Sequence, residues 1–167
     1  MTSEPLEAQV GALLRARGLT VAVAESCTGG LVLHRLTNIA GSSDYLLGGV
    51  VAYANASKQA VLKVKQGTLI AHGAVSAETA LEMAAGVREL FKADYAVSIT
   101  GVAGPGGGTA EKPVGLTYIG LAGPAGQHTS EQHLWDGDRA AVKAASAEAA
   151  LLLLLRVIAE DGPPAGR

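Results

Sequence analysis

The sequence lacks the residues on which secreted and nucleic-acid-binding proteins commonly depend. It has one cysteine, Cys27, and therefore cannot close a disulfide within the chain. Charged residues make up only 17%, and the formal net charge is −2, so no basic surface is available for a nucleic-acid backbone. We expect a cytoplasmic protein without direct nucleic-acid contacts.

Long apolar runs are also missing. The longest, near residues 149–155, is far shorter than the roughly 20 residues of a membrane span, and it indicates a core-facing helix instead. The N-terminus, Met-Thr-Ser-Glu-Pro, lacks the apolar centre of a signal peptide. We therefore predict no membrane association. Hydrophobic residues nevertheless reach 49%, which is typical of a folded globule.

Helical and strand patterns alternate along the chain, which predicts an α/β fold with a sheet covered on both faces. Two late strands around a Gly-Pro-Ala-Gly turn predict a hairpin, so the sheet should be mixed. We predict a three-layer α/β/α fold with a mixed, mostly parallel sheet of about five strands. A single domain should cover residues 1–160, followed by a disordered tail over 161–167. Predicted strands cover 20–24, 48–53, 95–99, 114–122 and 127–135. Helices are predicted to begin near Pro5 and Leu31, and after the caps Asn55, Ser76 and Asp138.

The turn after the first strand carries the strongest chemical signal. Ser26 is followed by Gly29, Gly30 and a predicted helix. Glycines permit a tight turn, and a helix start offers N–H groups to a phosphate or an oxyanion. The same pattern is also typical of an ordinary strand-to-helix turn with a capping serine. Cys27 is a competing nucleophile, although a lone cysteine in such a turn is more often a small buried filler.

A serine nucleophile needs a base. None of the four histidines lies in a catalytic or metal-binding motif, so we predict no metal site. Tyr53 ends a predicted strand, and Lys58 lies on the first turn of the next helix. Lys58 could act as a base if burial lowers its pKa, or it could be an ordinary solvated lysine.

Two later segments could bind a ligand. The stretch from Gly101 to Pro113 follows Thr100 and is rich in glycine, which indicates either a binding loop or a flexible hairpin. It matches neither a Rossmann fingerprint nor a Walker loop. Arg139 lies at the start of the last predicted helix, with Lys143 one turn on. The Arg139 guanidinium could bind a phosphate through two hydrogen bonds, or Arg139 could be an exposed arginine beside a helix cap.

Several of these stretches together resemble one family, the CinA C-terminal domain family, over about residues 5–155. The resemblance implies an amidohydrolase that converts nicotinamide mononucleotide and water to nicotinic acid mononucleotide and ammonia, with no cofactor. Larger members also carry an N-terminal nucleotide-pyrophosphatase-like domain, and we expect the stand-alone form here. The matching blocks are Ala24–Gly30, Ile39–Ser43, Val51–Asn55 with Lys58, His72–Ser76, Ser98–Pro105, Lys112–Gly115 and Gly137–Arg139.

The resemblance also implies roles for individual residues. Ser26 is the nucleophile, and Lys58 accepts its proton directly or through Tyr53. Two departures affect fine specificity: Ala54, where some members have serine, and the run Gly106–Gly108, where an acidic residue is sometimes found. The implied substrate-binding residues are Thr28, Gly29, Gly30, Asn55, Thr100, Gly101, Gly104 and Arg139.

Two other functional classes stay open. One is a non-catalytic, nucleotide-binding regulatory module, which would keep the glycine loop and Arg139 without needing Ser26 and Lys58. The other is a partner-binding protein linked to competence or DNA processing, which the acidic net charge disfavours as a direct DNA binder. The high apolar content also predicts a homo-oligomer, without fixing its size.

Overall fold

A computed structural model describes residues 4–166 of the chain. Within them, the chain forms six α-helices and five β-strands, with α3, α4 and α5 in succession and β3, β4 and β5 in succession. The helices are α1 (Leu6–Arg17), α2 (Leu31–Thr37), α3 (Asn55–Leu62), α4 (Gln66–His72), α5 (Ala77–Phe91) and α6 (Arg139–Asp161). The strands are β1 (Val21–Glu25), β2 (Leu46–Val51), β3 (Tyr95–Gly101), β4 (Leu116–Ala122) and β5 (His128–Leu134).

The strands form one mixed sheet in the order β2-β1-β3-β4-β5. Strand β1 pairs in parallel with both β2 and β3, whereas β4 is antiparallel to β3 and to β5. Four strands therefore run in one direction and only β4 runs against them. Helices α1, α2 and α6 pack on one face, and α3 and α5 pack on the other. The predicted three-layer α/β/α fold is confirmed.

The face beneath α1, α2 and α6 is built from large apolar side chains. Val23 and Ile99 on the sheet and Leu14 and Leu151 on the helices are completely buried. The apolar run near residues 149–155 belongs to α6 and supplies part of this core, as predicted. Within residues 4–166, no helix combines the length and apolarity needed to cross a membrane.

The opposite face is built from small side chains, which lets α5 lie close to the sheet. Ala24 and Ala96 are completely buried there, and the Ser98 hydroxyl donates a hydrogen bond to the Ala80 carbonyl at 2.5 Å. Gly86 on α5 lies so close to the end of α3 that a Cβ would collide with the Leu62 carbonyl. Small residues thus let α5 lie close to the sheet and let α3 pack closely against α5.

The predicted helix caps have different outcomes. The side chains of Ser76 and Asp138 accept hydrogen bonds from Thr79 N and Ala141 N, as N-caps do. Asn55 as an N-cap was wrong: it is the first residue of α3, and the extended residue before it is Ala54.

The end of the last helix also differs from prediction. Asp161 is the final residue of α6, not the first residue of the tail, and its carboxylate accepts a hydrogen bond from the Tyr95 hydroxyl at 2.6 Å. Residue 167 lies outside the described residues, and disorder of the remaining tail stays a prediction.

Candidate active site

Ser26 lies directly after β1, at the carboxyl end of the parallel strands. Its N–H donates to the Ile99 carbonyl at 3.0 Å, which holds its backbone beside the end of β3. Its carbonyl accepts from Gly29 N at 3.0 Å. Gly29 and Gly30 have φ values of 62° and 105°, a region in which side chains other than glycine are strained. The local pattern therefore folds as predicted, with the serine fixed at a tight corner.

Glu25 holds this turn through hydrogen bonds to the start of α2. The sequence analysis did not single out this residue. The residue is completely buried, and its carboxylate accepts hydrogen bonds from Val32 N and Leu33 N, each at 3.0 Å. The expected N–H groups at the start of α2 are thus already satisfied. A substrate anion or oxyanion has to be bound by other groups.

The turn itself offers those groups. Within residues 4–166, the N–H groups of Thr28 and Gly30 donate to no other residue. The Thr28 side chain is 1% exposed, and in the same part of the chain its hydroxyl has no hydrogen-bond partner. Two N–H groups from one tight turn, next to a serine hydroxyl, are suited to stabilise a tetrahedral oxyanion.

Lys58 reaches Ser26 from α3 and is the best-placed base. Its side chain is 1% exposed, and Nζ lies 3.0 Å from the Ser26 Oγ. Nζ also donates to the carbonyls of Ala52 at 2.9 Å and Tyr53 at 3.1 Å. Burial lowers the pKa of the Lys58 ammonium, because desolvation disfavours its charged form.

The two carbonyls also orient the amine once it is neutral. A neutral amine has two N–H bonds and one lone pair. When Ala52 and Tyr53 accept both N–H bonds, the lone pair is left for the proton on the Ser26 hydroxyl. The geometry therefore favours proton transfer from Ser26 directly to Lys58.

Tyr53 does not stand between these two groups. Its side chain is 60% exposed, and its hydroxyl accepts a hydrogen bond from Arg139 Nη2 at 2.9 Å. In the described part of the chain no hydrogen bond joins that hydroxyl to Ser26 or Lys58. The contact between the serine and the lysine favours the direct route, and a catalytic role for Tyr53 stays a prediction.

Arg139 connects three segments around the site. It is the first residue of α6, and its Nη1 donates to the Gly104 carbonyl at 2.7 Å while Nη2 binds Tyr53. Gly104 has a φ of 83°, so glycine is needed at this point of the loop. The guanidinium pairs with no carboxylate within residues 4–166, and its positive charge is uncompensated there.

Thr100 and Gly101 shape the site, and a direct ligand role for them stays a prediction. The Thr100 hydroxyl is buried and donates to the Ala74 carbonyl at 2.7 Å. A Cβ on Gly101 would lie 2.7 Å from the Thr117 Oγ1, so glycine lets β3 and β4 approach here. Asn55 is exposed at the start of α3, where its amide is open to a ligand.

A family model for the CinA C-terminal domain matches residues 3–158. The chain belongs to the CinA C-terminal domain family. A CinA-like protein of Chloroherpeton thalassium is 50% identical over 160 residues, covering 94% of this chain and 38% of that protein. The chain thus spans under two fifths of the length of the curated relatives it matches. The resemblance drawn from the sequence motifs is confirmed.

Solved structures of similar proteins share the fold. The competence/damage inducible protein CihA of Agrobacterium tumefaciens superposes with a TM-score of 0.87 at 40% identity, covering 94% of this chain and 99% of that one. A CinA superfamily protein of Klebsiella pneumoniae gives 0.89 at 35% identity, covering 93% of this chain and 96% of that one. These matches include nearly the whole CinA domain described here.

The surroundings of Cys27 in this CinA domain favour the buried filler over the competing nucleophile. It is 5% exposed, and burial raises the pKa of its thiol to about 11, so the thiol stays protonated at neutral pH. Within residues 4–166, no three side chains among His, Cys, Asp and Glu gather in a group that could hold a metal ion. Ser26 and Lys58 are thus the pair with the geometry for chemistry.

Proposed function

We propose that this CinA domain is an amidohydrolase that deamidates nicotinamide mononucleotide to nicotinic acid mononucleotide. The observation that carries the proposal is the 3.0 Å contact between the Ser26 Oγ and the buried amine of Lys58. A buried serine beside a lysine of lowered pKa is an activated nucleophile. The particular amide comes from the family resemblance, whereas the site geometry supports a carboxamide with an anionic group.

The reaction begins with attack of the Ser26 Oγ on the carboxamide carbon, while Lys58 takes the hydroxyl proton. The N–H groups of Thr28 and Gly30 stabilise the negative oxygen of the tetrahedral intermediate. The loss of one such donor typically costs about 3 kcal/mol of barrier lowering. Lys58 then returns its proton to the leaving nitrogen, the C–N bond breaks, and ammonia departs.

The resulting acyl-enzyme is an ester between Ser26 and the nicotinoyl group. Water attacks its carbonyl and gives a proton to the neutral Lys58, and the ester bond breaks as the serine oxygen is reprotonated. The products are the nicotinate carboxylate and free Ser26, with one proton released to solvent. Lys58 alternates between base and acid in both halves.

Arg139 supports an anionic substrate. Its charge is not compensated by a carboxylate in the described residues, and its two hydrogen bonds hold it at the mouth of the site. The exposed ring of Tyr53, fixed by Arg139, provides a flat surface beside Lys58 on which a pyridinium ring can stack. Remote binding of the nucleotide would orient the amide towards Ser26.

Ammonia release from nicotinamide mononucleotide tests this function. The unsubstituted protein should release ammonia, and Ser26→Ala should not, while nicotinic acid mononucleotide still binds to it in calorimetry. Ser43→Ala, at an exposed serine outside the site, is the matched control and should keep full activity. Normal turnover by Ser26→Ala would exclude the covalent route. Binding without ammonia release by the unsubstituted protein would favour the regulatory module.

A further inference from the structure

The two edges of the sheet differ in their protection against pairing with another strand. Strand β2 forms one edge and β5 the other. The β2 edge has a bulge, because Leu47 is an extra residue between the partners of Val21 and Ala22 on β1, and a bulge twists an edge away from further pairing. Strand β5 pairs with β4 without a break from His128 to Leu134, and its sequence contains neither lysine nor proline. It therefore lacks the usual features that prevent strand addition.

Every second residue of β5 turns its backbone away from the sheet. At the two ends of the strand pair, Trp135 N donates to the Gly115 carbonyl at 3.0 Å and Gly123 N donates to the Gln127 carbonyl at 2.9 Å. Because antiparallel bonding alternates with a period of two residues, the odd-numbered residues of β5 bond to β4. The outward N–H and C=O groups, with which no strand of residues 4–166 pairs, belong to His128, Ser130, Gln132 and Leu134.

The middle of β5 carries a cluster of charged groups that is balanced within the chain. The Glu131 carboxylate accepts a hydrogen bond from Arg156 Nη2 at 2.6 Å and lies 3.0 Å from His133 Nε2. The His133 ring stacks on Trp135, with ring centroids 4.6 Å apart. Beside these residues, a groove of about 550 Å³ runs between β5 and α6 and is also lined by the exposed Leu152. A strand added at this edge would therefore cover apolar surface without meeting an unbalanced charge.

The order of side chains on β5 selects a second copy of β5 as the added strand. When two copies pair antiparallel about a twofold axis at Gln132, each Glu131 lies opposite His133 of the other copy. Directly opposite side chains have Cβ atoms about 5 Å apart, so carboxylates and imidazoles alternate around the axis. The same register places Asp136 opposite His128. An axis one residue earlier, at Glu131, would instead place two carboxylates opposite each other.

We propose that this chain forms a homodimer in which β5 pairs antiparallel with β5 of a second copy, joining the two five-stranded sheets into one continuous sheet. The contact is isologous, because each copy presents the same edge to the other. Hydrogen bonds between the outward N–H and C=O groups supply affinity, and the acid–imidazole pairs fix the register. The dimer does not depend on the proposed amidohydrolase activity.

A proline at the twofold axis provides the first test. Light scattering of the unsubstituted protein at high micromolar concentration should give the mass of two chains. Gln132→Pro removes an N–H that β4 does not use, so circular dichroism should show an intact fold. The two hydrogen bonds that meet at the axis are lost, and we expect dimerisation to weaken roughly 30-fold or more. Gln132→Ala is the matched control: it loses the hydrogen bond from the Tyr118 hydroxyl but keeps the N–H, and it should stay dimeric.

Cysteine crosslinking tests the register without disturbing the backbone. In this register the two copies of residue 132 have Cα atoms about 5.5 Å apart, within reach of a disulfide, so Gln132→Cys should give a covalent dimer on oxidation. The two copies of residue 130 lie roughly 14 Å apart along the strands, so Ser130→Cys should not. Cys27 is buried, and the unsubstituted protein should not crosslink.

These measurements can support or overturn the dimer. Loss of the dimer in Gln132→Pro, together with a covalent dimer of Gln132→Cys, supports it. A monomeric unsubstituted protein overturns it and leaves the β5 edge to a strand from another source. A dimer that persists unchanged in Gln132→Pro shows that the copies meet elsewhere and also overturns it. Crosslinking through residue 130 and not through residue 132 overturns the register and its acid–imidazole pairs.

Discussion

The two faces of the sheet differ in the size of their side chains, and the Lys58 amine reaches Ser26 from the face with the small side chains. Beneath α1, α2 and α6 the sheet presents valine, isoleucine and leucine; beneath α3 and α5 it presents alanine, serine and glycine. Large apolar groups bury the most surface and supply most stability. Small groups let α5 lie close to the sheet and α3 lie close to α5, and from α3 the Lys58 Nζ reaches the Ser26 Oγ. The large-residue face thus stabilises the fold around the Ser26 turn, and the small-residue face carries the helix from which Lys58 reaches Ser26.

The largest effect on activity is expected at Lys58, in the first turn of α3. Lys58→Met removes the amine and keeps an unbranched chain of similar length. We expect kcat for ammonia release to fall about 10²–10⁴-fold, the usual contribution of a positioned base. Lys65→Met is the control and should be fully active. A folded Lys58→Met protein with ordinary turnover, checked by circular dichroism, would remove Lys58 from the mechanism.

A substitution on the large-residue face should lower the stability and leave the catalytic rate unchanged. Leu151→Ala deletes a completely buried side chain on α6 and should lower the free energy of unfolding by about 2–5 kcal/mol. Urea denaturation measures this loss. The kcat of the folded protein should stay near that of the unsubstituted one, and a large fall in kcat would show that the two faces are not separable in function.

A substitution on the small-residue face should change both the stability and the catalytic rate. Gly86→Ala adds a Cβ against the Leu62 carbonyl, so α3 must shift and take Lys58 with it. We expect a stability loss of about 1–3 kcal/mol from overpacking and a lower kcat. Gly67→Ala in α4, where nothing lies within 4 Å of the added Cβ, is the control. If Gly86→Ala lost stability but kept full kcat, close packing of α3 would not be needed for catalysis.

The smallest effect is expected at Tyr53. Tyr53→Phe removes the hydroxyl that Arg139 contacts but keeps the ring and the carbonyl that Lys58 contacts. Because the lost hydrogen bond is exposed, we expect KM to change within about threefold and kcat to be unchanged. Steady-state kinetics measure both. A fall in kcat as large as that of Lys58→Met would restore Tyr53 as a proton relay.

The sequence predicts the local parts of the site well. The strand, the serine and the two glycines are contiguous, so their turn follows from backbone geometry. Lys58 is 32 residues from Ser26 in the chain, and only the family resemblance pointed to their meeting. The link from Arg139 to Gly104 and Tyr53 joins three distant segments, which no local pattern encodes.

Glu25 and α4 show two further reasons for incomplete prediction. A carboxylate at the end of an apolar strand was the available signal for Glu25, but its partners are backbone N–H groups that only the folded turn brings near. Helix α4 has just seven residues, none of them buried, and so has little apolar periodicity to detect. Cytoplasmic location, oligomerisation and the absence of nucleic-acid contacts stay predictions.

The central claim is that Lys58 works as a neutral amine, and the pH dependence of kcat/KM tests it most directly. Burial lowers the pKa of Lys58, and only the unprotonated form can accept the serine proton. The rate should therefore rise with pH through an apparent pKa below that of an ordinary lysine and then level off. The residual activity of Lys58→Met should not show this rise with pH. A profile for the unsubstituted protein that is flat over this range, or one shared by Lys58→Met, would contradict the account.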